Sequence, residues 1–417
     1  MKIQSRYHQH SKIESVKYFY VFLLCIIFEV ARVQELFPPL GYIYFQSIIW
    51  LVAIFGVLSN VQSRIVLKKL SSSPQFRIVF FLFVWAVITI PTAIWPSHSY
   101  KIVTSSYWKL ILLFVLIIAY SHYKDAVSKM LWAYFVGAII ISIYGLTGLS
   151  TNHRMEIADS YDPNDLALIL AIIIPYSIFC MLHYSWKYKI LWISGFMTLM
   201  VPVIRSESRG GFLSLIAIMV TSIYYIRKIS FKQLMFALFI VLIGAITLTS
   251  ITGEGYWKRM ETIIDPAEDY NVTARSGRIQ VWKRGIDIIM ENPLCGVGIG
   301  NFATAEGEIH VRQGGSGKWS AAHNSFIQIA AELGILGLLA YCAIILYSLR
   351  GLKKRINVLT GKGLKEKSVY ISSSLVASWV AFLVGGFFLS QAYSNCFYFL
   401  AGLSLVTEHE REIRDLS

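Results

Sequence analysis

Long runs of apolar residues, separated by short polar segments, fill most of the chain. Most runs are about 17–25 residues long, which is the length a helix needs to cross the hydrocarbon core of a bilayer. The pattern therefore predicts an all-α polytopic membrane protein with about twelve transmembrane helices. The predicted spans are 17–32, 41–59, 77–95, 102–120, 128–148, 164–184, 189–204, 210–226, 232–250, 324–349, 370–389 and 392–407.

One segment interrupts this rhythm, because residues 251–322 are polar over a far greater length than the 2–8 residues usual between bundle helices. We interpret residues 1–417 as a single transmembrane domain and 251–322 as a long outside loop that contains short helices. Long loops of this kind are usually functional. The glycine-rich tract from Gly296 to Gly317 indicates mobile backbone rather than a nucleotide-binding motif, since no strand precedes it.

Inside the loop, the spacing of apolar residues predicts an amphipathic helix that starts at Ser276 as its N-cap and ends at Asn292-Pro293. Such a helix would lie on the membrane or on the helix bundle. The apolar positions that recur at intervals of three and four are Ile279, Trp282, Ile286 and Ile289.

Composition agrees with a membrane protein, since 56% of the residues are hydrophobic and only 15% are charged, against about 25% charged in soluble domains. The net charge of +14 comes from basic clusters between the spans, which indicates membrane orientation rather than nucleic-acid binding. The excess of Lys and Arg in alternate connections predicts that both termini are cytoplasmic. The five cysteines form neither a disulfide framework nor a metal-binding pattern. We expect no cofactor.

Charged residues at the outer ends of spans are the first candidates for function, because charge near hydrocarbon is costly. Arg205 and Arg209 lie four residues apart and are predicted to share one helical face. Two guanidinium groups there could bind a diphosphate. The alternative is a salt bridge from this pair to Glu207, or contact with lipid headgroups.

Arg278 falls in the first turn of the predicted loop helix. A cation is unfavourable at that end of the helix dipole, which suggests an anionic partner for the side chain. The alternative is a solvated loop arginine.

His323 opens the predicted tenth span and begins a polar stripe, with Asn324, Gln328 and Glu332 at intervals of four along the same helix. A neutral imidazole suits the role of a general base near pH 7, although a histidine at a helix start is often structural. Gly334 and Gly337 would permit a close helix approach behind the stripe.

The candidate residues belong to three motifs, which are Ser208-Arg209-Gly-Gly, Ser276-Gly-Arg278-Ile-Gln-Val-Trp282 with Glu291-Asn-Pro-Leu-Cys-Gly-Val-Gly, and His323-Asn324-x9-Gly334-x2-Gly337. In their order, their spacing and the long segment before the histidine, these motifs together resemble the O-antigen ligase and polymerase superfamily.

The resemblance implies periplasmic transfer of a glycan from an undecaprenyl diphosphate carrier to an acceptor hydroxyl, at the bacterial inner membrane and without a metal. By resemblance, Arg209 and Arg278 would hold the diphosphate, and His323 would act as base or position the acceptor. Arg205 is added to the substrate contacts from its helical spacing, with Asn324 and Gln328 from the polar stripe. Attack opposite the leaving group would invert the anomeric centre. Asp162-Pro-Asn164-Asp165 is interpreted as a helix cap or an acceptor contact.

Several alternatives remain open at this point. The last motif and the twelve-span layout favour an O-antigen ligase with lipid A core as acceptor, over a repeat-unit polymerase or a protein O-glycosyltransferase. A twelve-span transporter is the rival from another class, but it would usually carry its long connection on the cytoplasmic side, between related halves.

Overall fold

The computed structural model describes residues 2–147, 161–225, 257, 260–261, 277–315, 319–361 and 367–416, with side chains from residue 16 onward. The helices before the long polar segment are α1 (Lys2–Ala31), α2 (Val33–Leu36), α3 (Pro38–Tyr42), α4 (Phe45–Ser59), α5 (Val61–Leu70), α6 (Pro74–Ile88), α7 (Pro96–Ile102), α8 (Trp108–Ala119), α9 (Ala126–Leu146), α10 (Pro163–His183), α11 (Trp186–Arg205) and α12 (Arg209–Tyr225). The later helices are α13 (Arg278–Glu291), α14 (Phe302–Arg312), α15 (Ser325–Gly361), α16 (Lys367–Gly386), α17 (Asn395–Glu408) and α18 (Glu410–Leu416). A 3₁₀ turn covers Ile90–Thr92, and a π-helical turn, Val103–Tyr107, joins α7 to α8.

Six helical stretches in the described part of the chain are long and apolar enough to cross a membrane, and α4 with α5 would make a seventh if this bent pair is one span. The protein is therefore a polytopic helical membrane protein, as the sequence predicted, while the number twelve stays a prediction. The predicted span 232–250 lies outside the described residues. The six stretches are Pro96–Ala119, Ala126–Leu146, Pro163–His183, Trp186–Arg205, Ser325–Gly361 and Lys367–Gly386.

The predicted span 41–59 ends where α4 ends, whereas the predicted span 77–95 runs past the end of α6. The helix of the predicted span 41–59 ends at Ser59, where the Asn60 side chain accepts hydrogen bonds from the N–H groups of Gln62 and Ser63 and starts α5. The chain bends by 86° there. The helix of the predicted span 77–95 ends at Ile88, because Pro91 in the following 3₁₀ turn supplies no N–H for a continuing α-helix.

Helix α10 lies at the centre of the bundle, and 83% of an apolar 18-residue stretch of this helix is buried inside the protein. It packs against α9, α11, α12 and α16. Helix α15 packs against α6, α16 and α17 and also carries α13. The described part of the long polar segment is thus attached to the bundle through α15.

Helix α15 is broken at Gly334, whose φ of 67° and ψ of −169° are not helical. The Leu333 carbonyl accepts a hydrogen bond from the Trp85 indole at 2.9 Å, and the Ile335 N–H donates to the Pro293 carbonyl at 2.9 Å. A Cβ atom on Gly334 would collide with the carbonyl of Leu294. The predicted close approach at this glycine therefore exists, but its partner is loop backbone and not a second helix.

The glycines Gly296, Gly298 and Gly300 all have positive φ angles, of 67°, 91° and 81°. The Val297 and Gly298 N–H groups donate to the carbonyls of Ala331 and Glu332, both at 2.9 Å. The prediction of mobile backbone was wrong for residues 296–300, because glycine serves here to reach left-handed conformations that fit beside the broken helix.

The predicted loop helix is present as α13, but its N-cap is Gly277 rather than Ser276, and Ser276 itself lies outside the described residues. Its buried face also differs from the predicted one, since Ile279 and Ile286 are 42% and 53% exposed. Apolar residues recur at the same spacing on two faces of this helix. The face that contains Gly285 is the buried one, because the glycine lets Ile327 approach closely. The residues buried on α13 are Val281, Arg284, Gly285 and Ile288.

Candidate functional site

His323 lies directly before α15, in a left-handed backbone conformation with φ of 47°. Non-glycine residues in this region carry strain and cluster at functional sites. The His323 N–H donates to the Ser390 hydroxyl at 2.9 Å. Asn324 follows as the cap of α15, and its Oδ1 accepts the N–H groups of Phe326 and Ile327 at 2.9 and 3.0 Å. The backbone on both sides of the imidazole is thus fixed.

The electrostatic surroundings of His323 favour the neutral imidazole. Partial burial lowers its pKa below the ordinary value, and the Arg278 guanidinium lowers it further. The Asp162 carboxylate acts in the opposite direction and raises it. A ring with a lowered pKa is largely unprotonated near pH 7 and can accept a proton.

Arg278 is the first residue of α13. One turn later, the Trp282 indole N–H donates to the carbonyl of Ala322 at 3.0 Å. Since Ala322 precedes His323, this bond fixes the start of α13 beside the imidazole. The structure therefore brings together Arg278 and His323, which lie 45 positions apart in the sequence.

Arg209 is the first residue of α12, and Ser208 caps this helix by accepting the Gly211 N–H at 3.1 Å. Arg205 ends α11, and Glu207 between them has a φ of 51°. The two arginines therefore do not share one helical face. This part of the prediction was wrong because the left-handed residue between them ends one helix before the next begins.

Residues 387–390, which follow α16, connect the three candidate elements, and we call them the 387–390 turn. The Phe387 ring packs edge-on against Trp282 with 5.5 Å between centroids. A Cβ atom on Gly210, the neighbour of Arg209, would lie 3.6 Å from Phe388. Ser390 accepts the His323 N–H. Arg209, Arg278 and His323 thus stand at the starts of three helices around one turn.

Sequence reasoning missed the 387–390 turn. Phe387 and Phe388 stand at the end of a run of apolar residues, where they look like ordinary membrane-facing positions. The polar pair Ser390-Gln391, at the end of this apolar run, was the one local signal in the sequence that could have indicated the turn.

The rest of the polar stripe has structural partners. The Gln328 Oε1 accepts the Ala392 N–H at 3.3 Å, and the buried Glu332 accepts the Phe302 N–H at 3.2 Å. Asn324 is 3% exposed. Substrate contacts by Asn324 and Gln328 stay predictions, and the structure gives each side chain a role in holding the backbone around His323.

Asp162 caps α10 by accepting the N–H groups of Asn164 and Asp165, at 2.7 and 2.9 Å. The helix-cap interpretation of this motif is confirmed, and an acceptor contact stays a prediction. Asp165 also accepts a hydrogen bond from the Gln391 amide at 2.6 Å, so the motif is tied to the residue that follows the 387–390 turn.

The arrangement is suited to an anionic substrate. The N-terminal end of a helix carries partial positive charge, and α12 and α13 both begin with an arginine at the same turn. A guanidinium group binds phosphate oxygens through paired hydrogen bonds. A neutral imidazole beside such an anion site can take a proton from a hydroxyl group.

The described fold and site define a polytopic membrane protein with a cationic site and a neutral histidine at one end of its bundle. Residues 195–342 match the family model described as O-Antigen ligase. The match begins in α11, includes Arg209, Arg278 and His323, and ends in α15. It confirms the resemblance to the O-antigen ligase and polymerase superfamily, whose members are membrane enzymes of the glycosyltransferase type. No curated protein matches the chain.

Proposed function

We propose that this protein transfers a glycan from an undecaprenyl diphosphate carrier to an acceptor hydroxyl, as an O-antigen ligase that uses lipid A core. The proposal is supported by the placement of Arg209, Arg278 and His323 at three helix starts around the 387–390 turn. All three residues lie inside the segment that matches the O-antigen ligase family.

In this proposal, Arg209 and Arg278 hold the diphosphate of the donor. Both guanidinium groups act together with the helix N-termini of α12 and α13, and this positive charge stabilises the leaving group as its bond to the sugar breaks. Arg205 is exposed at the end of α11 and would add a peripheral contact to the same anion.

The neutral imidazole of His323 accepts the proton of the acceptor hydroxyl. The acceptor oxygen then forms a new bond to the anomeric carbon, while the bond from that carbon to the diphosphate oxygen breaks. The products are the glycosylated acceptor, undecaprenyl diphosphate and a protonated histidine, which returns its proton to solvent. Attack on the side opposite the diphosphate inverts the anomeric centre.

The proposal includes the predicted topology of twelve spans in the bacterial inner membrane. Both termini are cytoplasmic, and residues 251–322 and the site face the periplasm. The asymmetric distribution of Lys and Arg between the connections supports this orientation.

The test is a transfer assay with purified protein, lipid-linked glycan and EDTA, in which lipid A core is either present or absent. We expect glycosylated lipid A core, formed by the wild-type protein and not by His323→Ala. Longer glycans on the carrier, formed without lipid A core, would identify a repeat-unit polymerase instead. Absence of both products, or a strict requirement for added divalent metal, would overturn the proposal.

A further inference from the structure

A cleft of about 330 Å³ lies on one side of α14, and neither Arg209, Arg278 nor His323 is among its lining residues. Its lining consists of Gly307, Glu308, Val311, Arg312 and Trp319. The family motifs include none of these residues.

The indole of Trp319 is 60% exposed, although its position is fixed. It lies against Gly307, where a Cβ atom would come within 3.3 Å of the ring. The next N–H, that of Ser320, donates to Glu306 at 3.1 Å, and Glu306 is held in a buried ion pair with Arg284. A large aromatic ring thus lies exposed at the protein surface, with its position fixed by these contacts.

Charged groups border this ring. Glu308 and Arg312 stand one turn apart on α14, so a carboxylate and a guanidinium line the same cleft as the indole. Arg312 also lies 3.5 Å from Glu291 at the surface. The cleft therefore offers an apolar plane, hydrogen-bond acceptors and hydrogen-bond donors side by side.

We propose that this cleft is a sugar-binding subsite that holds one unit of the glycan. A pyranose ring presents a face of C–H groups that stacks on an indole, while its hydroxyl groups pair with a carboxylate and a guanidinium at the rim. Neither a purely apolar ligand nor a simple anion would use all of these groups.

The subsite lies within reach of the proposed reaction centre. Trp319 precedes His323 by four residues, and four residues span at most about 14 Å. Hydrogen bonds at Ser320 and Ala322 fix the segment between them. A glycan with its reacting end at His323 would therefore extend to the cleft within a few sugar units. This inference rests on the proposed function, since it takes the glycan as substrate.

The test measures binding separately from transfer. Free oligosaccharide, released from the carrier, is titrated calorimetrically into His323→Ala protein in lipid nanodiscs. We expect Trp319→Ala in this background to weaken binding about tenfold, and Trp319→Tyr to retain most of it. Glu308→Ala should weaken binding as well. Trp186→Ala, which removes an indole that is 66% exposed on α11, is the matched control and should bind like its parent.

Equal affinity of the Trp319→Ala protein and its parent, or no binding by the parent, would overturn the subsite. Equal affinity together with reduced quenching of tryptophan fluorescence by brominated lipid would assign the ring to the bilayer surface instead. Oligosaccharide binding that depends on Trp319, together with no glycan transfer by the wild-type protein, would keep the subsite and remove the proposed function.

Discussion

Arg284 of α13 and Glu306 of α14 form an ion pair in which Nη2 lies 2.6 Å from Oε1, with the two side chains 4% and 0% exposed. The second carboxylate oxygen of Glu306 accepts the Ser320 N–H at 3.1 Å. This buried network ties the helix that begins with Arg278 to the segment that leads to His323. It therefore helps to fix the distance between the two proposed catalytic groups.

Glu306→Ala should destabilise the protein strongly, because it leaves the Arg284 guanidinium buried without its carboxylate. The cost of breaking a buried pair in this way is about 3–5 kcal/mol. We expect a clear fall in the apparent Tm of the protein in detergent, measured by thermal unfolding.

The matched control is Glu291→Ala, because the Glu291–Arg312 pair joins the same two helices at the surface, with side chains 52% and 60% exposed. An exposed pair contributes at most about 1 kcal/mol, so this variant should melt close to the wild type. Equal losses of stability in both variants would contradict the structural role of the buried pair.

The proposed orientation of the chain in the membrane predicts a difference in labelling between two exposed positions. Glu308→Cys lies on α14, and Gly361→Cys lies at the end of α15, where nothing approaches within 4 Å. Cys295 and Cys342, which are partly exposed, are first replaced by serine. In cells with a permeabilised outer membrane, an impermeant thiol reagent should label Glu308→Cys and leave Gly361→Cys unlabelled until the inner membrane is lysed. Labelling of Gly361→Cys alone would reverse the topology.

The charge of Asp162 should shift the pH dependence of transfer. In the proposed mechanism His323 is a base only when it is neutral, so kcat/KM should fall as the pH decreases through its pKa. The Asp162 carboxylate raises that pKa by stabilising the imidazolium. Asp162→Asn preserves the helix cap but removes the charge. The pKa of His323 should therefore fall, and the acidic limb of the pH profile of kcat/KM should move to lower pH.

The pH profile of the wild type and of Asp162→Asn checks this expectation. Asp125→Asn removes a carboxylate that pairs with Lys367, the first residue of α16, and it should leave the acidic limb unchanged. An acidic limb that stays in place or moves to higher pH in Asp162→Asn would argue against His323 as the titrating base.

The transmembrane helices could largely be predicted because the backbone of a chain in hydrocarbon must satisfy its own hydrogen bonds. A run such as 164–184 therefore leaves little choice, and α10 covers Pro163–His183. Helix ends were predicted less evenly. The predicted end of the span 41–59 agrees with the end of α4, which lies before the cap at Asn60. Helix α6 instead ends at Ile88, before the proline at position 91 and short of the predicted end at 95.

The site was predictable where unusual residues stand next to apolar runs. Arg209, Arg278 and His323 each interrupt the local pattern, and all three lie at helix starts in the structure. The contacts that bring them together join residues distant in sequence, such as Trp282 with Phe387 and His323 with Ser390. The periodicity of apolar residues carries no information about such long-range pairs. It also could not tell which of two apolar faces of α13 is the buried one.

The proposed roles of the arginines and the histidine differ in what conservative replacements should do. Lysine keeps the charge of Arg209 or Arg278 but loses the planar pair of donors that fits a diphosphate. Glutamine keeps hydrogen bonding at His323 but does not titrate. Arg209→Lys and Arg278→Lys should therefore weaken donor binding and transfer together, whereas His323→Gln should bind donor normally and fail to turn over.

The most direct measurement of the central claim is made on purified His323→Gln protein, with donor binding and glycan transfer measured separately on lipid-linked glycan. We predict donor affinity close to that of the wild type and a transfer rate lower by about 10²–10⁴-fold. Transfer by His323→Gln at a rate near that of the wild type would contradict the assignment of His323 as the base.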